Sequence, residues 1–168
     1  MPETLARRVV TGFTKSGVTL ATAESLTGGL LGATITLVSG ASAMYRGGLI
    51  TYATDLKQTL GGVTEEALRD HGAVSEATVR ALASTAAMTC DADIGVALSG
   101  VAGPDEQEGH PVGTVWLGWA LRDRRAEAGL DTGARLLHLD SEGGREAVRE
   151  AAVEAALEQM VDLLGVRC

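Results

Sequence analysis

The chain has 168 residues, of which 45% are hydrophobic and 21% are charged, and its formal net charge at pH 7 is −8. These values are typical of one globular domain and exclude the low-hydrophobicity, high-charge composition of disordered chains. The negative charge, with no basic run longer than Arg124-Arg125, is unfavourable for a phosphate backbone, so we expect no nucleic-acid partner.

The first part of the chain predicts a helix–strand–turn–helix order. Apolar residues at helical spacing predict a helix from Thr4 to Ser16, and Gly17 follows as a C-cap. A strand from Val18 to Ala23 then leads into Gly28-Gly29, and a second apolar helix runs from Leu30 to Val38.

The remaining elements continue this alternation. They are a strand (Gly47–Tyr52), a short helix (Thr54–Leu60), helices beginning at Thr64 and at Ser75, strands at Ile94–Ser99, Gly113–Leu121 and Ala134–Leu139, and a helix from about Gly144 to Leu164. The strand at Ala134–Leu139 is expected at a sheet edge. Interleaved helices and short apolar strands predict an α/β fold. We expect a single three-layer α/β/α domain over residues 1–168, with a mixed, mostly parallel sheet.

The segment from Thr22 to Gly29 is the first candidate site, because it lies where a strand ends and a helix begins. Amide groups at a helix N-terminus can bind an anion or an oxyanion, and glycines allow a ligand to approach them closely. The alternative is an ordinary helix cap, in which Ser25 or Thr27 accepts a backbone hydrogen bond. The spacing alone leaves both interpretations open.

The segment from Tyr45 to Lys57 is the second candidate site. A lysine can take the proton of a serine hydroxyl if burial or nearby cations lower its pKa from about 10.4 towards neutrality. The chain has twelve arginines and only two lysines, so a lysine at position 57 favours a role as a base, which arginine cannot perform. An ordinary surface lysine is the alternative. Thr54 and Lys57 also form a rival hydroxyl–amine pair one helical turn apart, which ranks below Ser25 with Lys57 because threonine is a more hindered nucleophile.

Two further segments could bind a ligand. The glycine loop from Ala97 to Asp105 follows a strand, where α/β sheets commonly hold ligands, and Ser99 could contact a carboxamide or phosphate; a plain turn is the alternative. Arg145 and Arg149 lie at helical spacing, and either guanidinium could bind a phosphate. The histidines and cysteines have no recognisable ligand spacing, so we expect no metal.

Five segments together resemble the CinA C-terminal domain family, the nicotinamide-nucleotide amidohydrolases. They are Thr22–Gly29, Gly47–Lys57, His71–Ser75, Ser99–Asp105 and Pro111–Trp116. The likeness covers nearly the whole chain. It implies hydrolysis of nicotinamide mononucleotide to nicotinic acid mononucleotide and ammonia, a pyridine-nucleotide salvage step that uses no cofactor and no metal.

The resemblance also implies the roles of particular residues. Ser25 and Lys57 match the family's serine–lysine dyad, and Tyr52 is a third catalytic residue. The residues that match the family's supporting and substrate-binding positions are Glu24, Thr27, Gly28, Gly29, Ser42, Ser99, Gly100 and Arg145. In the mechanism that this resemblance implies, backbone amides from Thr27 to Gly29 stabilise the oxyanion.

The chain departs from the family in one loop, where it reads Asp105-Glu106-Gln107-Glu108-Gly109-His110 in place of a glycine-rich, basic-ended stretch. This departure puts substrate affinity or loop closure in doubt. The family domain often follows a nucleotide-pyrophosphatase-like domain, which the sequence lacks, so a stand-alone form is expected. We also expect a homo-oligomer, with a dimer favoured.

The amino terminus has no leader-like pattern and no apolar run reaches roughly 18 residues, so a cytoplasmic protein without a membrane span is expected. The competing function is a non-catalytic nucleotide-binding or protein-interaction module in competence or DNA-damage responses. Retention of both Ser25 and Lys57 argues against it, because a binding site has no need of a deprotonatable amine beside a hydroxyl.

Overall fold

The computed structural model describes residues 2–123 and 129–167. The elements in chain order are α1 (Pro2–Ser16), β1 (Leu20–Glu24), α2 (Leu30–Thr36), a 3₁₀ turn (Ala41–Ala43), β2 (Tyr45–Ile50), α3 (Thr54–Thr59), α4 (Glu65–His71), α5 (Glu76–Thr89), β3 (Ile94–Gly100), β4 (Thr114–Asp123), β5 (Gly129–His138) and α6 (Gly144–Arg167).

 Of the five helices that precede α6, α3 with six residues and α4 with seven are short connecting helices, and α3 carries Lys57.

Every predicted helix and strand is present, and the largest difference in bounds is at β5, which begins at Gly129 instead of Ala134. That strand is longer than predicted because its first half pairs with the end of β4, from Asp123 opposite Gly129 onwards. Its sequence there contains Gly129, Asp131 and Gly133, which are poor strand formers, so tertiary pairing overrides local preference.

The five strands form one sheet in the order β2-β1-β3-β4-β5. Strand β1 pairs in parallel with β2 and with β3, whereas β4 is antiparallel to both β3 and β5. Four of the five strands therefore point the same way, which confirms the predicted mixed, mostly parallel sheet. The predicted edge position of β5 is also confirmed, and β2 forms the other edge.

Helices cover both faces of the sheet, as the three-layer prediction requires. On one face, α1, α2 and α6 pack over large side chains such as Leu20, Ile94 and Leu98. On the other face, α5 packs over small ones, including Ala21 and Ala97. The alternation of large and small residues along β1 and β3 thus sets which helices lie on each face. No helix in the described ranges is long and apolar enough to cross a membrane.

The topology brings three loops to one edge of the sheet. Because β1, β2 and β3 are parallel, their carboxyl ends meet at the same edge, and each is followed by a candidate segment. Ser25 follows β1, Thr51 and Tyr52 follow β2, and Gly100 ends β3. Ligand sites of open α/β sheets commonly form at this position.

Candidate active site

Ser25 and Lys57 are joined by a hydrogen bond. The Lys57 amine lies 2.9 Å from the Ser25 hydroxyl oxygen, and it also donates to the backbone carbonyls of Thr51 (2.7 Å) and Tyr52 (3.3 Å). Lys57 is 2% exposed and Ser25 is 7% exposed. All three acceptors are uncharged, so the amine is buried without a carboxylate in contact in the described part of the chain.

Burial lowers the pKa of Lys57 from 10.5 to about 8, and the negative charge of Glu108 opposes this shift. The charged form loses hydration in the interior, and neutral carbonyl and hydroxyl acceptors replace only part of it. A pKa of about 8 leaves roughly a tenth of the amines neutral at pH 7. A neutral amine can accept the proton of the hydroxyl that it contacts.

The rival pairing of Lys57 with Thr54 does not form. Thr54 is the first residue of α3 and is exposed, whereas Lys57 points into the interior. No hydrogen bond joins the two side chains among the described residues. The structure therefore favours the Ser25–Lys57 pairing of the two that the sequence left open.

A cavity of about 280 Å³ opens beside the Ser25–Lys57 pair. Six residues that the sequence singled out line it: Ser25, Tyr52, Lys57, Ser99, Gly100 and Arg145. The remaining wall is formed by residues of the loop after β3, from Val101 to Gln107, together with Leu26 and Val74. The structure thus brings most of the predicted site together.

Arg145, at the start of α6, lies at the rim of this cavity and bridges two loops. Its guanidinium donates to the Tyr52 hydroxyl oxygen (2.7 Å) and to the Gly103 carbonyl (2.6 Å). These bonds use two of its five N–H groups. No carboxylate lies within salt-bridge distance of it in the described ranges, so a positive charge with free donors faces the cavity.

Ser99 is held in the cavity wall. Its hydroxyl donates to the Ala73 carbonyl (2.7 Å), and the residue is 1% exposed. The hydroxyl hydrogen is therefore committed to the protein, and only the lone pairs of the oxygen remain for a ligand. Ser99 can accept a hydrogen bond from a carboxamide N–H in this arrangement.

Glu24 does not face the cavity, in contrast to the expectation that it binds substrate. Its buried carboxylate accepts the amide N–H groups of Gly29 (3.0 Å), Leu31 (3.1 Å) and Gly32 (2.9 Å) at the start of α2. A carboxylate at a helix N-terminus satisfies donors that have no partner within the helix and interacts favourably with the helix dipole.

Two of the three amides that were expected to stabilise the oxyanion, those of Gly28 and Gly29, already donate to acceptors within the protein. The Gly28 amide donates to the Ser25 carbonyl (3.1 Å), and the Gly29 amide donates to Glu24. Both glycines have positive φ, 58° and 103°, so they shape the turn by conformation. Thr27 is fully buried, and its hydroxyl has no hydrogen-bond partner among the described residues.

Ser42 lies away from the cavity. It is exposed in the 3₁₀ turn that precedes β2, so it is at the amino end of that strand, whereas the cavity is at the carboxyl end. The sequence suggested Arg149 only as a possible phosphate ligand and did not reveal its observed role: it donates to the carbonyls of Leu26 (3.0 Å) and Thr27 (2.9 Å) and holds the loop that carries Ser25. The spacing of Arg145 and Arg149, one helical turn apart, indicated only that both lie on the same face of α6.

Within the described ranges, no group of three or more His, Cys, Asp or Glu side chains is arranged to hold a metal ion. The fold and this geometry define an α/β protein with a buried serine–lysine pair at the carboxyl edge of its parallel strands. The chain belongs to the CinA C-terminal domain family, whose model matches residues 2–164.

Relatives and solved structures agree with this assignment. The chain is 41% identical over 153 residues, 91% of its length, to a Limosilactobacillus fermentum protein whose name refers to competence-damage inducible proteins. A Geobacillus kaustophilus protein of the same name is 39% identical over 166 residues, 99% of the chain. The chain spans only 35% and 38% of these two relatives, respectively.

Two crystal structures match almost end to end. The competence damage-inducible protein A (ComA) of Klebsiella pneumoniae superimposes with a TM-score of 0.90 at 34% identity, covering 98% of this chain and 97% of that one. The competence/damage inducible protein CihA of Agrobacterium tumefaciens gives 0.88 at 36% identity, covering 96% and 94%.

Proposed function

We propose that this chain hydrolyses the carboxamide of nicotinamide mononucleotide to nicotinic acid mononucleotide and ammonia. The observation that carries the proposal is the 2.9 Å hydrogen bond between Ser25 and a buried Lys57 with a lowered pKa, in the lining of a cavity. A serine becomes a nucleophile when a neighbouring base takes its proton, and Lys57 meets that requirement in both distance and pKa.

The reaction begins with neutral Lys57. The amine takes the Ser25 proton as the serine oxygen attacks the carboxamide carbon, which gives a tetrahedral intermediate. The ammonium of Lys57 then protonates the departing nitrogen, so ammonia leaves and an acyl-enzyme ester on Ser25 remains. A water molecule attacks this ester, gives one proton to Lys57 and releases the carboxylic acid. Lys57 finally returns a proton to the Ser25 oxygen.

Two of the amides first expected to stabilise the oxyanion, those of Gly28 and Gly29, already have acceptors within the protein. The residues Leu26 and Ala102 line the cavity, and their amides donate to no acceptor in the described chain. We assign oxyanion stabilisation to these two amides. Removing one such donor typically costs about 3 kcal/mol of transition-state stabilisation.

The substrate phosphate is assigned to Arg145. Its free N–H groups face the cavity rim, and a planar guanidinium suits phosphate oxygens. The Tyr52 hydroxyl that Arg145 contacts would then orient the guanidinium, while the Tyr52 carbonyl holds Lys57. Ser99 would accept from the carboxamide.

The test is ammonia release from nicotinamide mononucleotide by the wild type, Ser25→Ala and Lys57→Met, with nicotinic acid mononucleotide followed by chromatography. We expect both products from the wild type and a loss of at least about a thousandfold in each variant, because the nucleophile or its base is removed. Circular dichroism establishes that the variants fold. A wild type that binds the nucleotide without turnover would instead support a binding module of a competence or damage response.

We also propose that the chain forms a homodimer through the side of the molecule that carries β2. The end of this edge strand and the segment after it carry four exposed apolar or aromatic side chains within eleven residues: Ile50, Tyr52, Leu56 and Leu60. Unpaired strand edges and exposed apolar side chains favour association. Light scattering of the wild type and of Leu56→Glu decides this point, since a monomeric wild type would contradict it.

A further inference from the structure

The acidic loop after β3 contains a tight hairpin whose tip is strained. Gln107 and His110 exchange backbone hydrogen bonds of 3.2 and 2.9 Å, and Glu108 and Gly109 between them have φ of 53° and 77°. Positive φ at both central positions is the pattern of a type I′ turn, which glycine, asparagine and aspartate favour. Glutamate is unfavourable at this position, so its side chain must supply a compensating interaction.

The compensating interaction is with the turn that precedes α5. The Glu108 carboxylate accepts the amide of Ala73 (2.9 Å) and the amide of Val74 (3.3 Å). Gly72 leaves room for it, because a Cβ at that position would lie 2.5 Å from a Glu108 carboxylate oxygen. Hydrogen bonds from amides to a carboxylate are stronger than those between neutral groups.

The same turn forms part of the cavity wall. Val74 lines the cavity, and the Ala73 carbonyl accepts the hydrogen bond of Ser99. Gln107, next to Glu108 in the sequence, also lines the cavity. One carboxylate therefore holds together two wall segments that come from different parts of the chain.

We propose that Glu108 is a positioning residue that fixes the cavity wall by joining the 107–110 hairpin to the Ala73–Val74 turn, and thereby sets substrate affinity. This inference rests on the proposed amidohydrolase function for its kinetic consequence. Its charge has a second effect, because it raises the pKa of Lys57 against the lowering by burial. The other charged side chains around the cavity are Asp105, Glu106 and Arg145.

The test compares three variants of the full chain. Glu108→Gly removes the carboxylate and relieves the positive φ, Glu108→Gln keeps the length and one acceptor oxygen, and Glu66→Gln removes an exposed carboxylate on α4 as a matched control. We expect Glu108→Gly to raise KM for nicotinamide mononucleotide about tenfold with a smaller change in kcat, Glu108→Gln to restore part of the loss, and Glu66→Gln to change nothing.

Amide hydrogen exchange gives a readout that does not depend on turnover. We expect the amides of Ala73 and Val74 to exchange about tenfold faster in Glu108→Gly, and the pKa of Lys57 to fall in both Glu108 variants. Unchanged exchange at these two amides in Glu108→Gly would overturn the proposal. If the wild type hydrolyses nothing, the proposed function fails, while the exchange result still decides whether Glu108 fixes the wall.

Discussion

Lys57 reaches Ser25 across the gap between β1 and α3, and its amine lies 2.9 Å from the serine oxygen. The two residues are 32 positions apart in sequence. The amine donates to three uncharged oxygen atoms, and no carboxylate of the described residues contacts it to hold it in the protonated state. This environment predicts a lysine that titrates within the range in which enzymes work.

The pH dependence of kcat/KM follows from the Lys57 pKa of about 8. Below that pH the amine is protonated and cannot accept the Ser25 proton, so we expect kcat/KM to fall about tenfold per pH unit. The free-enzyme profile should rise to a plateau above an apparent pKa near 8. A flat profile between pH 6 and 9 would contradict a lysine base.

The Lys57 titration can be observed directly, because the chain has only two lysines. In protein labelled with ¹³C at lysine Cε, Lys57→Met removes one of the two lysine signals and thereby assigns the Lys57 resonance. We expect this resonance to titrate near pH 8. Titration of the Lys57 resonance at the ordinary lysine value of about 10.4 would show that Lys57 is solvated as a surface lysine.

Stability should depend on pH through the same group. The folded-state pKa of Lys57 is below its unfolded value, so the unfolded chain binds more protons between about pH 8 and 10.5, and stability rises with pH there. The Lys57→Met variant lacks this pH-dependent contribution to the free energy of unfolding. We expect the stability of the wild type relative to Lys57→Met to increase by about 2 kcal/mol from pH 7 to pH 10, measured by urea unfolding.

Local sequence signals were sufficient to predict the helices and strands, but not the role of every side chain at the candidate site. The helix and strand order follows from apolar periodicity, and the parallel strands then bring Ser25 and Lys57 to one edge. The role of Glu24 could not be predicted, because a carboxylate beside a glycine turn is equally compatible with binding a ligand and with capping its own helix. Only the direction of its side chain, towards the amides of α2, separates the two.

Arg145 and Arg149 should differ in their effects although they are neighbours on α6. Arg145→Lys removes the planar donor set at the cavity rim, so we expect KM for nicotinamide mononucleotide to rise about tenfold or more. The KM for nicotinamide riboside, which lacks the phosphate, should stay within about twofold. Arg149→Lys should instead lower stability by about 1 kcal/mol, because Arg149 braces the carbonyls of Leu26 and Thr27. Equal losses for both substrates in Arg145→Lys would assign that residue a structural role.

Glu24 provides the last prediction, because the structure and the family resemblance give it different roles. Its carboxylate is 2% exposed and accepts three amides at the start of α2, so Glu24→Gln should reduce the free energy of unfolding by about 2 kcal/mol. Glu66→Gln, at the exposed start of α4, is the matched control and should cost less than about 0.5 kcal/mol. Because Glu24 faces the helix and not the cavity, the KM of the folded Glu24→Gln variant should stay near that of the wild type. A raised KM with unchanged stability would show that Glu24 contacts the substrate, and would mean that the amides of α2 find another partner when the substrate is bound.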